Sequence, residues 1–244
     1  MRLVNWNVER PSMNSKKNPL RVRHLLSLQP DIAILTETSR GVDLGTAYIG
    51  IFTEPSPRKP GIGEAVAAIW LNSESVSFIR SLPTSDPREA VCIEVEIAGE
   101  PYIIYASIIP YHGYRGPDGT SPQWEEHKKA IQWHSSDWQK IRSQFSSHFL
   151  ITAGDYNQNR DGVGKYGSAS VRDLLTVALD LSQLSCVTEQ DFVATSQLSR
   201  RNIDHVCVDK RCLSDVTEVA AWEGTIANQR LSDHNGITVE FRGR

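Results

Sequence analysis

Long apolar runs are missing from this chain, whose 244 residues include no stretch near the roughly 18 consecutive apolar positions of a membrane span. Cysteine is scarce as well. Cys92, Cys186, Cys207 and Cys212 show neither the paired CxxC spacing of a zinc site nor the density of a disulfide-stapled secreted domain, which leaves free thiols in a reducing compartment. An excess of one charge is also lacking: 26 Lys and Arg against 29 Asp and Glu give a formal net charge of -3. Attraction to a polyanion must then come from a local patch or a bound cation. The opening MRLVNWNVERP turns polar at residue 5 and supplies no signal-peptide core, so a cytoplasmic location is the expectation. What is there is an ordinary globular composition, 39% hydrophobic and 23% charged, long enough to bury a core.

Short apolar runs with β-branched content recur along the whole chain: residues 3–8, 32–36, 65–71, 76–79, 90–97, 102–109, 149–152, 203–208 and 237–241. Several alternate strictly, as half-buried strands do, and in this number they predict mixed sheets. Helices are punctuated clearly. Asn18 before Pro19 reads as a cap opening a helix to about Leu28, with Val22, Leu25 and Leu26 on its apolar face. Ser121 and Pro122 open a longer helix with Glu125 and Glu126 in its first turn and Trp124, Ile131, Trp138 and Phe145 recurring every seven residues. SVRD from Ser170 resembles a capping box for a third helix, burying Val171, Leu174, Leu175, Ala178 and Leu179. The Pro- and Gly-rich stretches 55–63 and 113–122 read as loops too short to divide the chain, so residues 1–244 read as a single α/β domain.

The polar residues that end the apolar runs are the informative ones. Asn7 follows the first run with Glu9 two positions later, Glu37 follows the second, Asp155 and Asn157 follow FLITAG, and Ile203 leads into Asp204 in IDHVCV. In LSDHNG, Asp233 and His234 stand side by side at the threshold of ITVEF. Open sheets collect ligands at strand ends, where the ladder fixes the backbone and the tips face a crevice. Converging carboxylates would repel one another unless a cation neutralised them. The donors are oxygen with no cysteine among them, which favours Mg²⁺ or Mn²⁺ over zinc.

NWNV at 5–8, LTET at 35–38, AGDYN at 153–157, IDHV at 203–206 and LSDH at 231–234 resemble, in order and spacing, the five motifs of the endonuclease/exonuclease/phosphatase superfamily, over residues 3 to about 241. The resemblance implies a four-layer α/β/β/α sandwich of two mixed sheets with outer helices. It implies metal binding by Asn7, Glu37 and Asp233, with Glu9 a second acidic candidate. It further implies that Asp155 orients and deprotonates the attacking water and that Asn157 steadies the phosphate or the nucleophile. Asp204 is then the partner that keeps His234 protonated. One motif departs: where the family places a phosphate-binding Tyr or His, this chain has Ile108, with Tyr111 and His112 three and four residues on. Either of these two takes over the contact, or it is absent.

Other polar residues carry plainer readings. His127 and His134, on the apolar face of the long helix, read as packed histidines, and His205 as pointing away from Asp204. Arg10, Lys16, Lys17, Arg21 and Arg23, then Arg58 and Lys59, then Arg200 and Arg201 form basic groups, two of which flank the motifs in sequence. The resemblance therefore points to a metal-dependent nuclease acting on DNA, with no membrane and no obligate protein partner. The segment TSRG after Glu37 lacks the lysine common in abasic-site enzymes, which argues against that specialised role. The alternative is a phosphatase or phosphodiesterase on a small or lipid-linked phosphate, since one catalytic set serves both. A catalytically silent binding module is disfavoured by the intact motif residues.

Overall fold

The computed structural model describes residues 1–56, 61 and 63–242. Its first half runs β1 Arg2–Asn7, α1 Asn18–Ser27, β2 Ile32–Ser39, β3 Tyr48–Phe52, β4 Glu64–Asn72, β5 Ser77–Leu82, β6 Ala90–Ile97 and β7 Glu100–Ile108. The second runs α2 Glu125–Gln144, β8 Phe149–Asp155, α3 Ala169–Leu181, β9 Leu184–Cys186, β10 Asp204–Asp209, β11 Val216–Trp222, β12 Thr225–Ile226, β13 Gln229–Arg230 and β14 Gly236–Phe241. Two sheets of six strands result, in the orders β11-β14-β1-β2-β4-β3 and β5-β6-β7-β8-β10-β9. Both are mixed: β1 with β2 and β7 with β8 are parallel, and the remaining ladders are antiparallel.

The strand alternation sorts side chains into layers. Leu3, Ile34, Ile69 and Ile237 of the first sheet meet Ile93, Ile104, Ile151 and Val206 of the second in the central core. The opposite faces pack outward. Val4, Trp6, Leu35 and Trp70 lie under Leu25 of α1, while Ile103 and Tyr105 lie under Ile131 and Trp138 of α2 and Val171 and Leu175 of α3. Strands covered on both faces are apolar on both, which explains the near-continuous runs in β1, β4 and β7. The outcome is the expected α/β/β/α sandwich. No helix of the described residues is long and apolar enough to cross a membrane.

Several local expectations are corrected. Asn18 does not cap α1; Lys17 does, and Asn18 is its first residue, its amide donating to the Ser12 and Met13 carbonyls and accepting from Arg21. Leu26 is exposed, because Arg21 and Leu25 form the inward side of this short helix. The capping box at Ser170 does not form: α3 starts at Ala169 after Ser168, whose hydroxyl meets that of Ser170. The long helix begins at Glu125 rather than Ser121, since Trp124 adopts φ 68° and the residues before it belong to the loop. Strands β3, β9 and β11 had no counterpart among the expected runs.

Polarity collects the polar strand ends at one edge. Parallel β1 and β2 finish together, and β8 finishes on the same side in the facing sheet, while antiparallel β10 and β14 begin there. Asn7, Glu37, Asp155, Asp204 and the residues before Gly236 therefore meet.

Candidate active site

Asp155 closes β8 and is buried to 2% exposure. Gly154 before it is required: at φ 147° a Cβ would stand 1.8 Å from the Ser107 carbonyl oxygen of the neighbouring strand. The Asp155 carboxylate accepts from the Asn157 backbone N–H at 2.9 Å, the Asn157 amide at 3.0 Å and the Asn7 amide at 3.1 Å. These donors fix its orientation, and Asn157 is itself held by the Ile109 carbonyl at 2.9 Å. Burial drives the Asp155 carboxyl up to about 7; His234 opposes this, and Asp204 and Glu37 add to it.

His234 lies in the bend before β14, at the lip of the sheet. Its Nδ1 is 2.7 Å from Asp204 Oδ2 and its Nε2 is 3.8 Å from Asp155 Oδ2. Burial disfavours the charged ring, but Asp204 and then Asp155 outweigh it and carry the imidazolium up to about 10. Asp204 faces Asp155 across the β8–β10 ladder. Ser232 braces the bend, donating to the Asn7 carbonyl at 2.6 Å and accepting from the His234 N–H at 2.9 Å. Nothing in the residue pattern singled Ser232 out; its role depends on a contact across 225 positions.

Asp155, Asp204 and His234 offer ligand atoms within 4.8 Å of one another, and the imidazolium itself supplies positive charge to the two carboxylates. The oxygen donors on the other wall suit a hard cation better. Glu37 takes a forked contact from Arg10 at 3.0 and 3.2 Å, Glu9 pairs with Arg230, and Asp233, about half exposed, lies 3.8 Å from Arg230. Carboxylates that attract two guanidinium groups, beside an amide oxygen of Asn7, form a donor set that fits Mg²⁺ or Mn²⁺. Glu9, Arg10, Glu37 and Asn157 all adopt left-handed backbone, at φ 58°, 47°, 48° and 49°, so strain gathers at this wall.

An open cleft of about 350 Å³ is lined by Glu9, Arg10, Glu37, Tyr111, Asp155, Asn157, Asp233 and His234. Tyr111 is thus on the cleft and half exposed, whereas His112 turns away to Tyr166 and the Trp124 ring. His127 donates from Nδ1 to the Pro110 carbonyl and accepts at Nε2 from the Gln158 amide, His134 meets Tyr105, and His205 meets Thr188 and Gln158 on the face away from Asp204. The basic groups divide. Lys17 donates to the Arg230 carbonyl, Arg21 to the Leu231 carbonyl, and Arg201 pairs with Asp161 and Asp191, while Lys16, Arg23 and Arg200 are exposed. Arg58 and Lys59 lie outside the described residues.

Comparison with known proteins bears on the family and the fold. The model of the "Endonuclease/Exonuclease/phosphatase family" matches residues 4–234. No curated protein matches the sequence. Among solved structures, an AP endonuclease from Archaeoglobus fulgidus superposes with a TM-score of 0.69 at 16% identity, covering 99% of each chain. The 3'-5' exonuclease NExo from Neisseria meningitidis gives 0.66 at 20% identity over 100% of both chains. D. rerio TDP2, complexed with a single-strand DNA product, gives 0.66 at 17% identity over 100% of this chain and 99% of its own.

Proposed function

Because the chain belongs to the endonuclease/exonuclease/phosphatase family, whose members are metal-dependent phosphoesterases, we propose that residues 1–244 act as one domain that hydrolyses phosphodiester bonds in DNA. The observation that carries this reading is the pair formed by Asp155 and His234. A buried carboxyl drawn up to about 7 stands 3.8 Å from an imidazolium held at about 10, so near neutral pH one can take a proton while the other keeps its own.

In this reading Asn7 and Asn157 aim the Asp155 carboxylate at a water molecule, which loses its proton to Asp155 as its oxygen attacks phosphorus in line. The phosphorus–oxygen bond to the leaving group breaks on the far side, and the departing alkoxide takes its proton from solvent water. His234 Nε2, left facing the cleft because Nδ1 is engaged by Asp204, donates to the phosphoryl oxygen on which charge builds. Glu37, Asn7 and Asp233, with Glu9 nearby, would hold the divalent cation, which when bound supplies positive charge to phosphate and water. Tyr111 takes the phosphate contact on the rim.

The DNA assignment rests on exposed Lys16, Arg23 and Arg200, which flank motif residues in sequence, and on the likeness of the fold to D. rerio TDP2, which is complexed with a single-strand DNA product. A second reading, hydrolysis of a small phosphate ester, is favoured by the internal bonding of Lys17, Arg21 and Arg201 and by the net charge of -3. A panel of circular, linear and abasic DNA, RNA and inositol phosphates, assayed across a salt series, separates them. For a DNA enzyme, log affinity should fall linearly with log salt, by roughly 0.9 per phosphate contacted. Turnover of small esters alone, without retention on DNA at low salt, would select the second reading.

A further inference from the structure

Beside the cleft, on the outer face of the second sheet, a smaller cavity of about 160 Å³ lies between α3 and the glycine-rich loop 159–167. Asn159, Arg160, Gly162, Gly164, Arg172 and Thr176 line it. None of them belongs to the site described above. Two guanidinium groups thus line one small space, and neither has a carboxylate closer than 3.5 Å among the described residues. The Arg160 side chain is 10% exposed, and its Nε is buried without a hydrogen-bond partner among the described residues. Its other nitrogens reach Thr176 Oγ1 at 3.4 Å and Glu189 at 3.5 Å, and Glu189 is itself about half exposed. Cys186 also hydrogen-bonds Arg160, and with Cys207 and Glu189 it favours the charged guanidinium against the cost of burial. Arg172 donates to the Gly167 carbonyl, and no carboxylate is paired with it among the described residues.

Burying a guanidinium costs free energy unless it is paired and its N–H groups are satisfied. Two of them around a cavity of this size leave donors and charge for a compact oxyanion, and planar guanidinium groups match phosphate oxygens two at a time. Asp161, the nearest acidic residue in the loop, does not cancel them: its carboxylate accepts from the Val163 and Gly164 N–H groups and pairs with Arg201.

We propose that this cavity is a second phosphate-binding site, with Arg160 and Arg172 as its cationic ligands; the Thr176 hydroxyl, which donates to the Arg172 carbonyl at 2.9 Å, accepts from Arg160 and positions its guanidinium. Its position suggests two sources for the phosphate. Asn157 faces the cleft and Asn159 lines the cavity, and two residues span at most roughly 7 Å of chain. A strand that carries a charge every ~3.4 Å of its axis could therefore place a neighbouring phosphate there. That source rests on the nuclease reading; free inorganic phosphate does not.

The test is calorimetric titration of inorganic phosphate, with a chelator present, into the full chain and three variants. The wild type and His234→Ala should each bind one phosphate, since His234 belongs to the cleft. Arg172→Gln should weaken binding by about tenfold or more, and Thr176→Val by less, with unchanged circular dichroism. If Arg172→Gln does not fold, Thr176→Val and Arg160→Lys provide the reading, the latter keeping charge but losing the fork. Binding that is unchanged in the folded α3 and loop variants, or abolished by His234→Ala alone, overturns the proposal. Steady-state kinetics then identify the source. A KM raised by Arg172→Gln for a DNA oligonucleotide but not for bis(4-nitrophenyl) phosphate assigns the site to the substrate chain. Equal KM values alongside weakened phosphate binding assign it to free phosphate. Absence of any DNA cleavage would remove the nuclease reading and leave the titration result standing.

Discussion

Replacing Asp204 with Asn tests the electrostatics of the site with little change of shape. The Asn side chain oxygen can still accept from His234 Nδ1, and the backbone of residue 204 keeps its bonds to Asn202. What disappears is one negative charge 2.7 Å from the ring. The imidazolium stands at about 10 against an ordinary 6.5, a difference of some 3.5 in pH that corresponds to about 5 kcal/mol favouring the charged ring. Asp204 is the largest contributor that favours the charged ring, with Asp155 behind it, and removing an opposite charge this close typically shifts a pKa by about 1–3 pH units. The variant's ring should then titrate about 2 pH units lower. The assay is kcat/KM against pH for phosphodiester hydrolysis at saturating Mg²⁺. The wild type should give a bell, rising with a limb near 7 and falling with one near 10, both belonging to the coupled Asp155–His234 pair. In Asp204→Asn the alkaline limb should move to about 8, lowering the rate at pH 9 by roughly tenfold. An alkaline limb that stays near 10, with the fold intact, would refute the role given to His234.

Further outcomes follow from the same contacts. Both raised groups act on stability in one direction: the Asp155 contribution is complete below 3.8 and lost as pH climbs through about 7, and that of His234 is complete below 6.5 and lost through about 10. Thermal melts without divalent cation should accordingly fall in midpoint from pH 6 to pH 10, and a midpoint that rises over that range would contradict the assignment. Asp155→Asn should cost about 10²–10⁴ in kcat, yet raise the melting midpoint at pH 8 because it removes a buried charge. Glu37→Gln should weaken Mn²⁺ binding, read by paramagnetic resonance, by roughly tenfold or more; unchanged affinity would move the cation elsewhere. Gly154→Ala should destabilise the chain by several kcal/mol, about the upper end for point substitutions, since its Cβ would stand 1.8 Å from the Ser107 oxygen.

How much of this was legible in the sequence depended on the reach of each interaction. β1, β2, β4, β6, β7 and β8 announced themselves because strands buried on both faces are apolar throughout, and their polar terminators marked the site edge. β3 and β11 lie at sheet edges, where partial exposure and residues such as Gly50, Thr217 and Glu218 dilute the apolar pattern. Helix starts shifted by a residue or more where the expected capping side chain had other partners, as at Asn18 and Ser170. The motif residues Asn7, Glu37, Asp155, Asn157, Asp204, Asp233 and His234 do meet at one edge. The contacts among them were hidden, because Arg10 finds Glu37, Arg230 finds Glu9 and Ser232 finds Asn7 only through the fold. Tyr111 and His112 could not be ranked from sequence, since the turn after β7 decides which ring faces the cleft.

The most direct measurement of the central claim is a single-turnover rate for a phosphodiester DNA substrate at pH 8 in four conditions: wild type with Mg²⁺, wild type with excess chelator, and Asp155→Asn with and without Mg²⁺. Cleavage confined to the first condition, with the variant still folded, is the result expected of a cation-assisted attack by water that Asp155 deprotonates. Cleavage that persists in the chelator, or in folded Asp155→Asn at the wild-type rate, would contradict it.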